Sequence, residues 1–144
     1  MANKEIVSEF VLASGADAIP RMNRMLNIDK SITNINIKVS TYYDYTALHY
    51  QALNGTTGSV AWLLMQDPPP DINARDSDQY TPLMYAVWSP EDSEGKVRLL
   101  LDHGADRDLK EMYGRTALDL ARSHNKPNPA VIDMLVNYRP DVSR

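Results

Sequence analysis

A threonine-led motif recurs at one fixed interval along the chain. Residues 46–49 read Thr-Ala-Leu-His, residues 81–83 read Thr-Pro-Leu and residues 116–119 read Thr-Ala-Leu-Asp. Each leading threonine follows the previous one by 35 residues. A period of about 20–50 residues is typical of arrays in which similar supersecondary units stack on one another. The spacing therefore predicts a repeat array.

The composition fits one globular domain and limits the chemistry available to it. The chain has 144 residues, of which 43% are hydrophobic and 24% are charged, as in ordinary soluble proteins. It contains no cysteine, so disulfides, thiolate catalysis and cysteine-ligated zinc are excluded. The formal net charge of −4 provides no basic field for nucleic-acid phosphates. The N-terminal stretch is too charged for a signal peptide or a membrane span, and we expect a cytoplasmic or nuclear location.

Each threonine motif is followed by two apolar runs with the spacing of amphipathic helices. We therefore predict one domain of four helical hairpins, the first a degenerate N-terminal cap and the last a C-terminal cap, because the outer units of an array face water on one side. The predicted units are residues 1–40, 41–75, 76–110 and 111–138, with a tail at 139–144. Residues 54–58 and 89–95 are predicted as inter-helix loops, and Pro127 and Pro129 are placed in the loop of the fourth unit.

The motif residues resemble the ankyrin-repeat family, whose units open on D-x-x-G-x-T-P-L-H-x-A and close on L-L-x-x-G-A-D-x-N-A. The third unit carries this pattern at residues 81–83 and 104–106, the second at 46–49 and 71–74, and the fourth at 114–118. The resemblance is strong from the second unit onward and weak over the first. It implies an all-α fold, an ankyrin-repeat solenoid of about four stacked helix-turn-helix units joined by projecting β-turn fingers.

The chain departs from the family pattern in its period and in two turns. The family period is about 33 residues, and we place the extra residues at 56–57, at 68–70 and in the loop at 89–95. Asp44 and Gln79 replace the glycine that precedes the threonine in the family pattern. Glycine is the residue that adopts positive φ freely, so these replacements leave the geometry of the two turns open.

The sequence contains no catalytic or metal-binding pattern. The histidines do not share a helical face, and no H-E-x-x-H, G-x-S-x-G or phosphate-loop motif occurs. The resemblance gives His49 a structural hydrogen-bonding role. Asp76, Asp78 and the acidic residues at 91–94 fall in predicted loops, and we interpret them as solvated charge rather than general acid–base groups. We therefore predict no enzyme activity, no cofactor and no metal site.

Tyrosines are concentrated between the predicted hairpins. In the ankyrin family these positions are the projecting turns and the inner-helix edge, which line a concave face that binds partners. Carried over residue by residue, the resemblance implies the partner-binding residues Tyr42, Tyr43, Tyr45, Asp78, Tyr80, Trp88, Met112, Tyr113 and Arg115. Tyrosine, tryptophan and arginine dominate interface hot spots, although the alternative is that some of these rings pad the stack. Tyr50 and Tyr85 are predicted to lie in the core, and Trp62 to pack on an outer helix.

These observations predict non-enzymatic recognition of another protein. A partner, or an extended segment of it, would lie across the turns and inner helices, with Trp88 at the centre of the site. We expect a monomer or a hetero-complex, with neither nucleic acid nor membrane as a partner. The first alternative is a stoichiometric inhibitor or regulatory subunit of an enzyme. An enzyme with an unrecognised site and a nucleic-acid binder are the others, the latter disfavoured by the net charge.

Overall fold

A computed structural model describes residues 4–13, 15, 18–28, 35–39 and 43–140. Helices account for the regular structure of these residues, and within the same ranges the backbone forms no strand beyond an isolated antiparallel bridge between Val39 and Tyr45. The helices are α1 (Lys4–Val11), α2 (Ala18–Ile28), α3 (Ala47–Asn54), α4 (Thr57–Leu64), α5 (Pro82–Val87), α6 (Ser93–Asp102), α7 (Ala117–Ser123) and α8 (Pro129–Asn137). The all-α prediction is confirmed.

The helices form two layers of consecutive hairpins. Helices α1, α3, α5 and α7 each contact the next member of that series and form an inner layer. Helices α2, α4, α6 and α8 do the same in an outer layer, and each inner helix also packs against the outer helix that follows it in sequence. Every hairpin therefore buries its apolar side against its neighbours, as expected for a solenoid.

The repeated threonines begin the helices by capping them. The side chains of Thr46, Thr81 and Thr116 accept hydrogen bonds from the backbone amides of the residues three positions later. Thr56 does the same at the start of α4. A side chain of this kind satisfies one of the free amides in the first turn and stabilises a helix by about 1 kcal/mol. The periodic motif is thus the repeated start of the inner helix.

One apolar interior runs through all four hairpins. Each unit contributes fully buried side chains to the same cluster, among them Phe10, Leu48, Leu83 and Leu120 from the inner layer. Helices of six to eleven residues are too short to be stable alone in water. The stacking of units therefore supplies the stability of the fold.

Three helix boundaries differ from the prediction. Helix α4 begins at Thr57 and α6 at Ser93, so both inter-helix loops end before the predicted limits of residues 58 and 95. Pro129 is the first residue of α8 and does not lie in a loop. The side chains of Asp92 and Asn128 cap these starts. Polar residues with the composition of a loop therefore cap a helix, because they accept hydrogen bonds from its free amides.

Candidate protein-binding surface

Turns between the hairpins project as fingers of similar construction. Finger 1 comprises residue 39 and residues 43–45, finger 2 residues 76–80 and finger 3 residues 111–115. In finger 2 the Asp76 amide donates to the carbonyl of Tyr80 at 3.1 Å, and in finger 3 the Glu111 amide donates to the carbonyl of Arg115 at 3.0 Å. In finger 1 the Val39 amide donates to the carbonyl of Tyr45 at 2.9 Å.

The two positions that lack the family glycine keep a left-handed backbone. Gln79 has a φ of 68° and Asp44 a φ of 60°, close to the 79° of Gly114 at the equivalent place in finger 3. Both positions therefore keep the positive φ of the family glycine, but finger 1 differs from the other two because Tyr43 also has a left-handed backbone with a φ of 60°. A non-glycine residue in this region costs about 1–2 kcal/mol, which the surrounding hydrogen bonds offset.

A buried carboxylate organises each of fingers 2 and 3. One oxygen of Asp76 accepts hydrogen bonds from the amides of Asp78 at 2.9 Å and Tyr80 at 2.8 Å. An oxygen of Glu111 accepts from the amides of Tyr113 at 3.0 Å and Arg115 at 2.8 Å. The prediction that Asp76 is a solvated charge is wrong. The residue is 3% exposed, because its carboxylate turns inward to bind the amides of its own turn.

The environment of Glu111 favours its charged form. Burial would raise the pKa of this carboxyl, but hydrogen bonds from the amide and guanidinium of Arg115 outweigh that effect and the pKa lies below its usual value. The guanidinium Nε lies 3.4 Å from the carboxylate. Arg115 is therefore bound to its own finger and also reaches finger 2, since its Nη2 donates to the Tyr80 hydroxyl at 3.2 Å.

Hydrogen bonds join the three fingers into a continuous edge. The Ser77 amide donates to the carbonyl of Tyr43 at 2.9 Å, and the Met112 amide donates to the carbonyl of Asp78 at 3.0 Å. Cationic side chains also connect each unit to the next, at the residues that precede the fingers. Lys38 Nζ donates to the carbonyl of Arg75 at 2.6 Å, and Arg75 Nη1 donates to that of Lys110 at 3.0 Å.

His49 connects the second hairpin to finger 2. Its Nδ1 accepts a hydrogen bond from the Thr46 amide at 3.1 Å, so the ring proton lies on Nε2 and is shared between the carbonyls of Ala74 at 2.9 Å and Tyr80 at 3.0 Å. The side chain is fully buried, and burial lowers its pKa. A neutral imidazole therefore has the structural role that the resemblance implies.

Behind the fingers, aromatic rings from two hairpins form a cluster that consists of Tyr45, Tyr80, Tyr85 and Trp88. The Tyr85 ring lies 5.2 Å from that of Tyr45 and 5.5 Å from that of Tyr80, and the rings of Tyr80 and Trp88 are 5.2 Å apart. Burial and the hydrogen bond to Asp76 raise the pKa of Tyr85. Tyr85 is buried as predicted, whereas Tyr50, at the same place in the preceding unit, is only half-buried.

The predicted contact residues divide into exposed and half-buried groups. Tyr43, Met112 and Tyr113 are 63%, 55% and 74% exposed. The half-buried residues are Tyr45, Asp78, Tyr80, Trp88 and Arg115. Three of them meet in the aromatic cluster, and Arg115 joins it through Tyr80. Trp88 also packs against the apolar interior, as does Trp62 on the outer helix α4. Tyr42 lies outside the described residues.

Two buried charged residues were missed in the sequence. Glu111 could have been found, because it follows Asp76 by the repeat period of 35 residues. Lys96 is fully buried in α6, where its Nζ donates to the Ser89 hydroxyl at 2.7 Å. Burial lowers the pKa of this ammonium group. A lysine beside a leucine-rich run resembles any surface residue in sequence, so nothing in the pattern indicates its burial.

A cleft of about 490 Å³ lies between the loop before α6 and the loop before α8. The titratable residues that line it are Asp92, Glu94, His124 and Lys126. Asp92 caps α6 and accepts a hydrogen bond from Thr57, and Glu94 accepts one from Asn128. Across the part of the chain that the structure describes, no group of acidic, histidine or cysteine residues is arranged to hold a metal ion. In the same part, no helix has the length and apolar character needed to cross a membrane.

Stacked helical hairpins with a hydrogen-bonded row of projecting turns define a helical-repeat protein. The family model for ankyrin repeats in three copies matches residues 2–111, and the chain belongs to the ankyrin-repeat family. Repeats of this family generally mediate protein–protein interactions and are generally non-enzymatic.

Two relatives share part of this chain. It is 30% identical to delta-latroinsectotoxin-Lt1a of Latrodectus tredecimguttatus over an alignment of 98 residues that covers 65% of this chain. It is 36% identical over 96 residues, or 67% of its length, to a transient receptor potential cation channel subfamily A member 1 homolog of Caenorhabditis elegans. The matched regions span 8% and 7% of those proteins.

Proposed function

We propose that the chain is a non-enzymatic binding module that holds a partner protein across its three fingers and the aromatic cluster behind them. The observation that carries this proposal is the hydrogen-bonded edge from Tyr43 through Ser77 and Asp78 to Met112. These backbone hydrogen bonds hold the three fingers beside one another, which supports a contact surface formed by the side chains that they carry. A rigid row lowers the entropy cost of binding, because few of its groups must be ordered on contact.

The proposed contact residues play different parts. Tyr43, Met112 and Tyr113 offer exposed apolar area at the fingertips. The rings of Tyr80 and Trp88, which belong to the aromatic cluster, would contact the partner behind the fingertips. Tyrosine and tryptophan supply large contact area with few rotatable bonds. We further propose that the module acts as a monomer or in a hetero-complex, as an adaptor or regulator in the cytoplasm or nucleus. Its fold needs no disulfide from an oxidising compartment.

The test compares capture of partners by variants that differ only in which exposed apolar side chain is removed. The fingertip variant carries Tyr43→Ser and Tyr113→Ser, and the control carries Met65→Ser and Val136→Ser on the outer layer, where both native residues are exposed. Affinity purification with quantitative mass spectrometry should recover proteins with the wild type and the control that the fingertip variant loses. Equal recovery by the fingertip variant and the wild type would contradict the proposal. An activity assay on a recovered enzyme would distinguish an inhibitor from an adaptor.

A further inference from the structure

One position of the three fingers alternates in chemistry, with Tyr43 and Tyr113 exposed and Asp78 half-buried. Tyr43, Asp78 and Tyr113 are separated by the repeat period of 35 residues. The carbonyls of Tyr43 and Asp78 each accept a hydrogen bond from an amide of the next finger, which aligns the three fingers in a row, although Tyr43 alone of the three residues has a left-handed backbone. The row therefore presents an aromatic ring, a carboxylate and a second aromatic ring in that order.

Most charged groups of the fingers are engaged within the molecule, including the carboxylates of Asp76 and Glu111. The cationic side chains of Lys38, Arg75 and Arg115 donate to carbonyl, hydroxyl or carboxylate oxygens on or beside the fingers. By contrast, the carboxylates of Asp44 and Asp78 accept no hydrogen bond and form no ion pair with any residue in the described ranges. The charge that the middle of the row offers to a partner is therefore negative.

We propose that this row selects an extended peptide segment in which a lysine or arginine lies midway between two apolar residues. The inference rests on the proposed function and adds the chemistry of the partner. The basic side chain binds Asp78, and the apolar ones pack on Tyr43 and Tyr113. The Tyr113 ring already lies beside one cation, because the guanidinium carbon of Arg115 is 5.8 Å from the centroid of the ring.

The repeat spacing sets the register of this segment. Stacked helices lie about 8–10 Å apart, so neighbouring fingertips are separated by a similar step. A segment in the extended polyproline II conformation rises about 3.1 Å per residue with three residues per turn, so it advances about three residues for each finger and turns every third side chain to the same side. The two apolar residues are thus about six positions apart, with the basic residue at the third position between them.

A nucleic acid fits this row poorly. Nucleic-acid affinity depends on neutralising phosphates with cations, whereas Asp78 repels a phosphate and the chain carries a formal net charge of −4. Opposite charge at the centre of an interface fixes register and suppresses wrong partners more than it raises affinity. Asp78 is therefore the residue that determines specificity in the row.

The test uses a random peptide library about 12 residues long, which is enough to cross three fingers. Phage selection on the immobilised wild-type chain should enrich a basic residue flanked three positions away by apolar residues. Selection on Asp78→Lys should enrich an acidic residue at that centre instead. A matched control, Asp108→Lys, makes the same charge change at an exposed acid outside the fingers and should keep the wild-type preference.

Affinity measurements on a synthetic peptide from the wild-type selection complete the test. Asp78→Asn should weaken binding at low salt by about tenfold and flatten its salt dependence, since one charge contact is lost. Circular dichroism should match the wild type, because only the side chain changes. If enriched peptides lack a basic centre but lose affinity in the variant Tyr43→Ser, Tyr113→Ser, the charge selection is overturned while the binding face stands. If neither substitution affects them, or if no peptide is enriched, both are overturned.

Discussion

The Tyr85 hydroxyl donates a 2.5 Å hydrogen bond to the Asp76 carboxylate. The second oxygen of that carboxylate accepts the amides of Asp78 and Tyr80. Finger 2 is therefore fastened to the inner helix α5 of its own unit through a single buried acid. The same helix contains Tyr85 and ends at the C-cap Trp88, so the position of the fingertip is coupled to that of the aromatic cluster behind it.

Removing the hydroxyl tests this coupling. Tyr85→Phe leaves a buried carboxylate oxygen without its donor, and it should lower the free energy of unfolding by about 1–3 kcal/mol. Urea denaturation followed by circular dichroism measures the change. Tyr50→Phe is the matched control, because Tyr50 is half-buried at the equivalent position and should change stability by less than about 0.5 kcal/mol. Equal losses in the two variants would contradict this role for the hydrogen bond.

Acid should weaken the contact that His49 makes with finger 2. The pKa of His49 is lowered in the folded state, so below about 6.5 the unfolded chain takes up a proton that the folded chain resists. The contribution of His49 to stability is therefore complete above that pH and is lost as the pH falls toward the folded pKa.

Comparison with His49→Gln isolates this effect from other titrating groups. The difference in unfolding free energy between wild type and variant should be largest at pH 7 to 8 and should shrink at pH 5, as measured by urea denaturation at each pH. A difference that stays constant over this range would show that the imidazole does not remain neutral when buried.

Lys96 should be a source of instability. Its ammonium group is fully buried and donates one hydrogen bond, to Ser89, so most of its hydration is lost. Lys96→Met keeps a long unbranched chain of similar volume and should raise the free energy of unfolding by about 1–4 kcal/mol, the range seen when buried ionic groups are replaced by apolar ones. Thermal denaturation at pH 7 measures this change in stability. Lys110→Met, on an exposed lysine, should have little effect, and a loss of stability in Lys96→Met would refute the argument.

The architecture could be predicted because its sequence signal is repeated along the chain. The buried charges could not be predicted, because their burial depends on local geometry that the sequence does not repeat. Each capping threonine occurs in phase with the others, so a single ambiguous copy does not mislead. Asp76 and Asp78 are two residues apart and chemically identical in sequence, yet one is buried and the other half-exposed. The difference arises from the direction of each side chain within a turn of five residues. Lys96 similarly depends on one hydroxyl, that of Ser89, which comes from the preceding loop.

The left-handed residue of fingers 2 and 3 gives a reciprocal test of backbone strain. Gln79 and Gly114 occupy the same turn position with φ of 68° and 79°. A Cβ added at Gly114 would meet no atom within 4 Å, so exchange of the side chain alters the backbone preference and little else. Gln79→Gly should therefore raise the free energy of unfolding by about 1 kcal/mol, and Gly114→Gln should lower it by a similar amount.

Chemical denaturation of the two single variants and of the combined variant measures both changes. The combined variant should return close to the wild-type stability, because the fingers lie in different units and their effects should add to within about 0.5 kcal/mol. Gln79 also accepts a 3.2 Å hydrogen bond from Arg75 at the surface. The loss of this bond in Gln79→Gly offsets only part of the gain in unfolding free energy. The outcome that contradicts this account is a loss of stability in Gln79→Gly as well as in Gly114→Gln. In that case side-chain contacts rather than backbone conformation determine the stability of these turns.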